Sequence, residues 1–234
     1  MDPTIYIGDV HGDWDVIGSI AKQAKNTNAT LIQVGDFGVG FTKGQGVGKE
    51  ERSLERLAQR ISDYNCKLLV IRGNHDDPSY FPGESHDVIE FLPSECVRTI
   101  NEKKHVFIGG ALSIDRAFRS HGVSWWEDEG INYEDVEKFE IPEDLDVMVT
   151  HTAPLQSPAP ANKAVLQNWF NKDPTLEDDL KFERSFLTKI CSDIWRTERS
   201  ILWVYGHFHE ALSSQHEDIT FRQLDINEAW EHRV

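Results

Sequence analysis

Thr4-Ile5-Tyr6-Ile7-Gly8-Asp9-Val10-His11-Gly12 reads as a short β-branched strand that stops at a glycine and then presents two polar donors, Asp9 and His11. β-Branched residues fit a pleated, buried surface, and glycine lets the backbone turn closely beside a site. Just beyond, Trp14, Ile17, Ile20, Ala21 and Ala24 recur at the spacing of one helix face within Trp14 to Lys25. The unit is strand, loop, helix, with its chemistry in the loop.

The unit returns twice. Thr30 to Val34 ends in Gly35-Asp36, a Gly-rich stretch runs from Gly38 to Gly48 as a loop beside the site, and Glu51 to Ile61 carries a stripe of Leu54, Leu57, Ala58 and Ile61. Lys67 to Ile71 then ends at Arg72-Gly73-Asn74-His75. Strands alternating with helices predict a mainly parallel sheet buried on both faces. After Pro82, the closely spaced segments Val88 to Phe91, Cys96 to Ile100 and Val106 to Ile108, with Lys103-Lys104 as a turn, predict a second sheet with antiparallel pairing. Further on, a short helix is expected within Gly130 to Phe139, and a strand from Val147 to Thr150 that ends at His151. Pro154 to Pro160 breaks helix, Leu176 to Arg196 is a long amphipathic helix, and Ile201 to Tyr205 and Ile219 to Leu224 return to strand. The class is α/β, and no linker or repeat divides residues 1–234. A single domain is expected.

Composition narrows the function classes. Hydrophobic residues at 39% and charged residues at 27% suit a packed globular chain. No apolar run reaches the roughly 18 residues that span a bilayer, and Met1-Asp2-Pro3-Thr4 leads directly into a strand without a basic, apolar leader. Cys66, Cys96 and Cys191 are odd in number and widely spaced, which suggests buried free thiols in a reducing compartment. The expectation is a cytoplasmic protein with no membrane partner. A formal charge of -16 argues against an extended nucleic-acid surface, because such binding relies on clustered Lys and Arg. A small anionic substrate stays open, since bound metal ions reverse the local field.

The candidate donors all follow strands: Asp9 and His11, Asp36, Asn74, His151, and His207 with His209 in Gly206-His207-Phe208-His209. Open α/β sheets place ligand sites at the carboxyl ends of their strands. Carboxylate, imidazole and amide oxygen together suit borderline ions such as manganese, iron(II), zinc or nickel, without deciding among them; two divalent ions, manganese ahead of the others, are the expectation. Ser113 to Arg116, Arg119, Trp125 and Trp126 follow the strand through Ile108 as a loop over the site, where Arg116 and Arg119 would bind phosphate and the tryptophans an aromatic group. The remaining histidines, His86, His105, His216 and His232, read as surface or core residues, and Trp126 to Glu129 as a solvated acidic face.

GDVHG at Gly8 to Gly12, GDFG at Gly35 to Gly38, GNHD at Gly73 to Asp76, His151, and GHFH at Gly206 to His209 resemble, in order, the signature blocks of the calcineurin-like metallophosphoesterases. The resemblance implies a four-layer α-β-β-α sandwich of two mixed sheets flanked by helices, with a dimetal site at the strand carboxyl ends. It further implies one divalent ion on Asp9, His11, Asp36 and His209, a second on Asp36, Asn74, His151 and His207, and a bridging hydroxide as nucleophile. His75 would be general acid or transition-state stabiliser, oriented by a carboxylate such as Asp76. RGNH at Arg72 to His75 is similar to the phosphoprotein-phosphatase branch, where the arginine holds phosphate. That branch continues its second block into DRG, whereas here Phe37-Gly38-Val39 follows Asp36. A phosphatase or phosphodiesterase for small phosphorylated or nucleotide-like substrates is the reading, ahead of a protein phosphatase and of a scaffold without catalysis.

Overall fold

Ile5 and Ile7 pack to one side of the first strand and Tyr6 to the other, and both sides are covered. The same division explains the rest of the sheet. β1 (Thr4–Ile7), β2 (Thr30–Gln33), β3 (Lys67–Val70) and β4 (Ile89–Phe91) run parallel, and β11 (Ala229–Glu231) pairs antiparallel on the outer side of β1. The second sheet has the order β5 (Glu95–Ile100), β6 (Lys103–Ile108), β7 (Val147–Thr150), β8 (Ile201–Tyr205), β10 (Ile219–Gln223), β9 (Leu212–His216). Its central strands β6, β7, β8 and β10 are parallel, and its two edges are antiparallel. The computed structural model describes residues 2–41, 49–83, 87–158, 163–195 and 199–232.

Three apolar layers hold these elements in four. Ile7, Leu31, Leu68 and Val70 meet Ile17, Ala21, Leu54, Leu57 and Ile61 of α1 (Trp14–Gln23) and α2 (Lys49–Asp63). Between the sheets, Tyr6, Ile32, Val34 and Leu69 face Phe107, Val149, Leu202 and Val204. On the far side, Val106, Met148, Trp203 and Tyr205 meet Phe186, Leu187, Ile190 and Ile194 of α5 (Leu176–Trp195). Leu187 and Trp203 are fully buried there, and truncating such a leucine to alanine costs about 2–5 kcal/mol. The α3 helix (Tyr133–Lys138) is capped by Asn132, whose side chain accepts from the Asp135 N–H. Among the described residues no helix is long and apolar enough to cross a membrane.

The structure departs from the sequence reading at two places. Ile89 and Phe91 belong to the first sheet, not the second, because their side chains join the layer under α1 and α2. Lys103 and Lys104 are paired in β6; the turn is Asn101-Glu102, both at positive φ (49° and 65°). Two short edge strands, β9 and β11, and the helix α4 (Lys163–Phe170) carry no apolar pattern strong enough to announce them. The Gly-rich residues 42–48, His86, the prolines' end at 159–160 and Arg196 lie outside the described residues.

His105 is a core residue. It is 1% exposed, and its Nδ1 lies 3.0 Å from the Lys103 carbonyl oxygen, which only accepts. Nδ1 therefore carries the proton, and Nε2 accepts the Tyr6 hydroxyl at 2.8 Å. Burial pushes the imidazole down to about 4. Between that value and the ordinary histidine value the unfolded chain binds more protons than the folded one, so stability rises with pH and is lost as pH falls. From pH 7 to pH 5, His105 alone should remove roughly 2 kcal/mol of unfolding free energy. Urea titrations across that range should show a slope flatter by this amount in Tyr6→Phe/His105→Phe; an unchanged slope would refute the assignment.

Candidate metal centre

The carboxyl ends of β1, β2 and β3 in one sheet and of β7 and β8 in the other point into the same space, and each delivers donors there. Asp9 and His11 follow β1, Asp36 follows β2, Asn74 follows β3, His151 follows β7, and His207 and His209 follow β8. Hydrogen bonds stitch the loops together. The Asp36 carbonyl accepts the N–H groups of Val10 (3.2 Å) and His11 (2.8 Å), and the Asp9 carboxylate accepts the His207 N–H at 3.0 Å. Gly206 N–H donates to the His151 carbonyl at 3.1 Å.

Local backbone geometry marks the same residues. His11, Asp36, His207 and His209 all sit at positive φ, between 45° and 67°, in a region that L-residues other than Asn and Asp rarely occupy. Of the other such residues in the described chain, five are asparagines, the residue type that tolerates this conformation best. The strained residues other than asparagine therefore concentrate at the cluster. Gly35, at φ 99°, presses on the His151 ring, and a Cβ on Gly206 would collide with the Asp9 carboxylate.

Ligand atoms of Asp9, His11, Asp36 and His209 lie within 4.8 Å of one another. His11 Nε2 and His209 Nε2 approach to 3.2 Å, and His209 Nε2 lies 3.1 Å from Asp9 Oδ2. Across Asp36, His151 Nε2 is 3.2 Å from Asp36 Oδ1 and 3.2 Å from Asn74 Oδ1. The His207 ring packs edge-on to His151 with centroids 5.0 Å apart. Donor atoms bound at about 2.1 Å to one ion sit about 3 Å from each other, so these separations fit the edges of coordination polyhedra. His151 also has the expected outer partner: its Nδ1–H donates to the Val34 carbonyl at 2.8 Å, leaving Nε2 free to ligate.

Electrostatics agree. Asp36 is 1% exposed, and burial would raise its carboxyl, but His151, His75 and His11 outweigh that and hold it well below the usual carboxylate range. Burial would lower His151, yet the Asp36 carboxylate lifts it to about 10. His207 is driven down by burial and by His151. Without ions the centre balances itself with protons on imidazole, which divalent cations would displace.

Three expected residues stand differently, and a fourth, Arg119, is where it was expected. Asp76 does not touch the His75 ring; its carboxylate accepts the backbone N–H groups of Gly73 (2.8 Å), Phe37 (3.2 Å), Gly38 (2.6 Å) and Val39 (3.2 Å) and so holds the GDFG loop. Arg72 is 4% exposed and donates to the carbonyls of Asp128 and Gly130 (2.8 Å), so its guanidinium is engaged within the protein. Arg116 is clamped by Asp173 (2.6 Å) and Asp179 (2.6 Å), which take up its guanidinium. Arg119 reaches the cluster, with Nη2 2.8 Å from His75 Nε2. Burial lowers His75 to about 4, Asp36 opposing and Arg119 reinforcing, so the ring is a neutral acceptor for that guanidinium. The Phe41 ring stacks on His75 at 4.7 Å, and His11 lies edge-on at 4.7 Å.

The acidic run is not a solvated face throughout. Glu127 and Asp128 are exposed, but Trp126 and Glu129 are buried (8% and 1%). Glu129 accepts the Ser113 N–H and Oγ–H, each at 2.7 Å, and Ser113 Oγ accepts Asn74 Nδ2–H at 3.0 Å. Burial pushes Glu129 up to about 7, against the two Ser113 donors. Only the apolar neighbours Trp126 and Ile131 could have signalled this burial in sequence.

A sequence-family model for calcineurin-like phosphoesterases matches residues 3–211. No curated protein matches by sequence. Among solved structures, one from Thermus thermophilus is 10% identical with a TM-score of 0.55, covering 99% of this chain and 98% of that one. A Staphylococcus aureus protein provisionally assigned as a 5′-nucleotidase is 12% identical with a TM-score of 0.52, covering 98% of this chain and 50% of that one. A phosphopantetheinyl hydrolase of Mycobacterium tuberculosis is 15% identical over 96% of this chain and 90% of that one, with a TM-score of 0.48.

The steric role of Gly206 is open to direct test. Gly206→Ala should displace the Asp9 carboxylate and weaken metal uptake tenfold or more, about 1.4 kcal/mol, measured by equilibrium dialysis with elemental analysis. Gly122→Ala, whose methyl meets nothing within 4 Å but whose φ of 70° strains an alanine, should lower the melting temperature and leave uptake unchanged. Equal uptake by both variants would remove Asp9 from the ligand set.

Proposed function

We propose, because the chain belongs to the calcineurin-like phosphoesterase family, that it hydrolyses phosphoester bonds of small phosphorylated or nucleotide-like substrates at the centre described above. Asp9, His11, Asp36 and His209 would hold one divalent ion, and Asp36, Asn74, His151 and His207 a second, with Asp36 shared. The observation that carries this reading is the packing of these donors around the buried Asp36 carboxylate, with Asp9, His11, Asp36 and His209 ligand atoms within 4.8 Å of one another and His151 Nε2 3.2 Å from both Asp36 and Asn74. Bound there, the ions would supply the Lewis acidity that polarises a phosphoryl group and makes water acidic enough to attack at neutral pH.

The chain's own groups set the geometry. Val34 fixes the tautomer of His151, and the His207 N–H fixes the Asp9 carboxylate. Two carboxylates against two divalent charges leave the centre positive, able to draw an anion to a chain whose formal charge is -16. His75 and Arg119 stand beside His11, at the half-exposed edge of the cluster, where a guanidinium would stabilise negative charge on phosphate oxygens.

Manganese suits the mixed oxygen and nitrogen set, with iron, zinc or nickel also acceptable to it. The protein-phosphatase reading loses its main support, because Arg72 is spent on two carbonyls. The scaffold reading has no missing donor to rest on. The one pair of sheets and one shared centre favour a single domain over residues 1–234.

Protein stripped with chelator and refilled with manganese should hydrolyse chromogenic phenyl phosphates, and renewed stripping should abolish turnover. Asp36→Asn, which loses the shared carboxylate, should lower kcat/KM by at least about a hundredfold, roughly 2.7 kcal/mol of transition-state stabilisation. Turnover that survives either treatment would sink the mechanism. A panel of mono- and diester dyes, nucleotides and phosphopeptides would show the substrate class, and preference for phosphopeptides would reverse the choice made above.

A further inference from the structure

Asn74 presents a problem of direction that the rest of the donor set lacks. An amide has one end that accepts and one that donates, the two are nearly equal in shape, and only the oxygen serves a cation. Its side chain lies between His151 Nε2, 3.2 Å from Oδ1, and Ser113 Oγ, 3.0 Å from Nδ2. A hydroxyl could receive from the nitrogen or donate to the oxygen equally well. What decides the matter is on the other side of Ser113.

The Ser113 hydroxyl proton goes to Glu129 Oε2 at 2.7 Å, and the Ser113 N–H goes to Glu129 Oε1 at 2.7 Å. A charged carboxylate only accepts, so with its proton so placed Ser113 Oγ has only lone pairs left for Asn74. Asn74 must then turn its NH₂ outward and its oxygen towards the cluster. The carboxylate is itself fixed in place. Arg72, two residues before Asn74, grips the carbonyls on either side of Glu129, those of Asp128 and Gly130. Ala111 N–H also donates to the Glu129 carbonyl at 3.1 Å. All four residues are essentially out of solvent, Arg72 at 4%, Asn74 at 3%, Ser113 at 1% and Glu129 at 1%, so water does not offer alternative partners.

We infer that Ser113 and Glu129 form a polarity relay, braced by Arg72, which holds the Asn74 amide with its oxygen facing the metal centre. These are positioning residues: none of the three is among the residues that would hold an ion, and each acts through Asn74. The inference rests on the two-ion reading above and extends it to residues outside the signature blocks. Outer partners of metal ligands commonly set affinity by about 10- to 100-fold.

The test is calorimetric titration of manganese or zinc into chelator-stripped protein at pH 8, above the value of about 7 to which burial pushes Glu129, with melting curves of the stripped proteins alongside. Wild type should take up two ions. Ser113→Ala should weaken one of the two binding steps by roughly 10- to 100-fold and leave the other unchanged. Glu129→Gln should act in the same direction, because its amide can donate to Ser113 Oγ, free the hydroxyl proton for Asn74 and let the amide turn over. Asn74→Ala should lose the same step, and adding Ser113→Ala to it should cost nothing more, since the relay then has nothing to orient.

Ser113→Ala with both steps within threefold of wild type overturns the relay. So does an equal further loss in the Asn74→Ala background, which would mark Ser113 as a general structural support. A Ser113→Ala chain that melts far below wild type when stripped transfers the decision to Glu129→Gln, where an unshifted step overturns the relay. Wild type that takes up no ions overturns the two-ion reading itself, a result distinct from the others.

Discussion

The carboxylate of Asp36, shared between the two halves of the cluster, has to be kept charged while almost entirely removed from water, and much of the molecule is arranged around that requirement. An isolated buried carboxylate costs several kcal/mol and would take up a proton. Here the His75 N–H donates to Oδ1 at 2.7 Å, His151 Nε2 lies 3.2 Å away, and His11 Nδ1 approaches Oδ2 at 3.8 Å. Those partners come from three different loops and from both sheets. The four-layer sandwich is what brings them together: two sheets face each other across an apolar layer, with the carboxyl ends of their central strands opening on the same edge. Chemistry and architecture are linked at that edge.

The same requirement accounts for the strain. Ordinary strand or helix geometry would point Asp36, His11, His207 and His209 along their own loops; positive φ turns each towards the shared space. Such conformations cost of order 1–3 kcal/mol each and persist only where the surroundings over-determine them. The determinants are visible: the Asp36 carbonyl receives two N–H groups from the first loop, and the Asp76 carboxylate receives four from the second and third. Asp76 thus secures the loop that carries Asp36, a role for which its place beside His75 in the chain is incidental.

What could be read in the sequence divides along a physical line. Strands buried on both faces announce themselves as short apolar runs, and donors directly after them stay directly after them, so Asp9, His11, Asp36, Asn74, His151, His207 and His209 were legible from position alone. Edge elements were not. β9, Leu212–His216, is polar and half exposed, and it owes its conformation to β10 beside it. Which sheet receives a strand is a question of tertiary contact, which is why Ile89 and Phe91 lie under α1 and α2 despite their spacing from β5. Long side chains were least legible of all. Arg72 and Arg116 look like phosphate ligands in sequence, but a guanidinium can travel several ångströms from its backbone, and both found nearer partners.

That redistribution of arginines bears on how an acidic chain handles an anionic substrate. Arg116 is paired with two aspartates and Arg72 donates to two backbone carbonyls, so of the three only Arg119 reaches the centre through a side-chain contact. Arg119 is itself paired with Asp115 at 2.5 Å, which offsets part of its field. On the proposed function a substrate would meet little fixed positive charge from these side chains, and attraction would come from ions held at the carboxylate cluster. Their field is strong over a few ångströms and screened within about 8–10 Å in physiological salt. Such a centre favours a substrate whose charge is concentrated on the reacting phosphate over one that spreads phosphates along an extended surface. On the proposed function, the surface charge and the buried centre would select for the same thing, a small phosphoester over an extended polyanion.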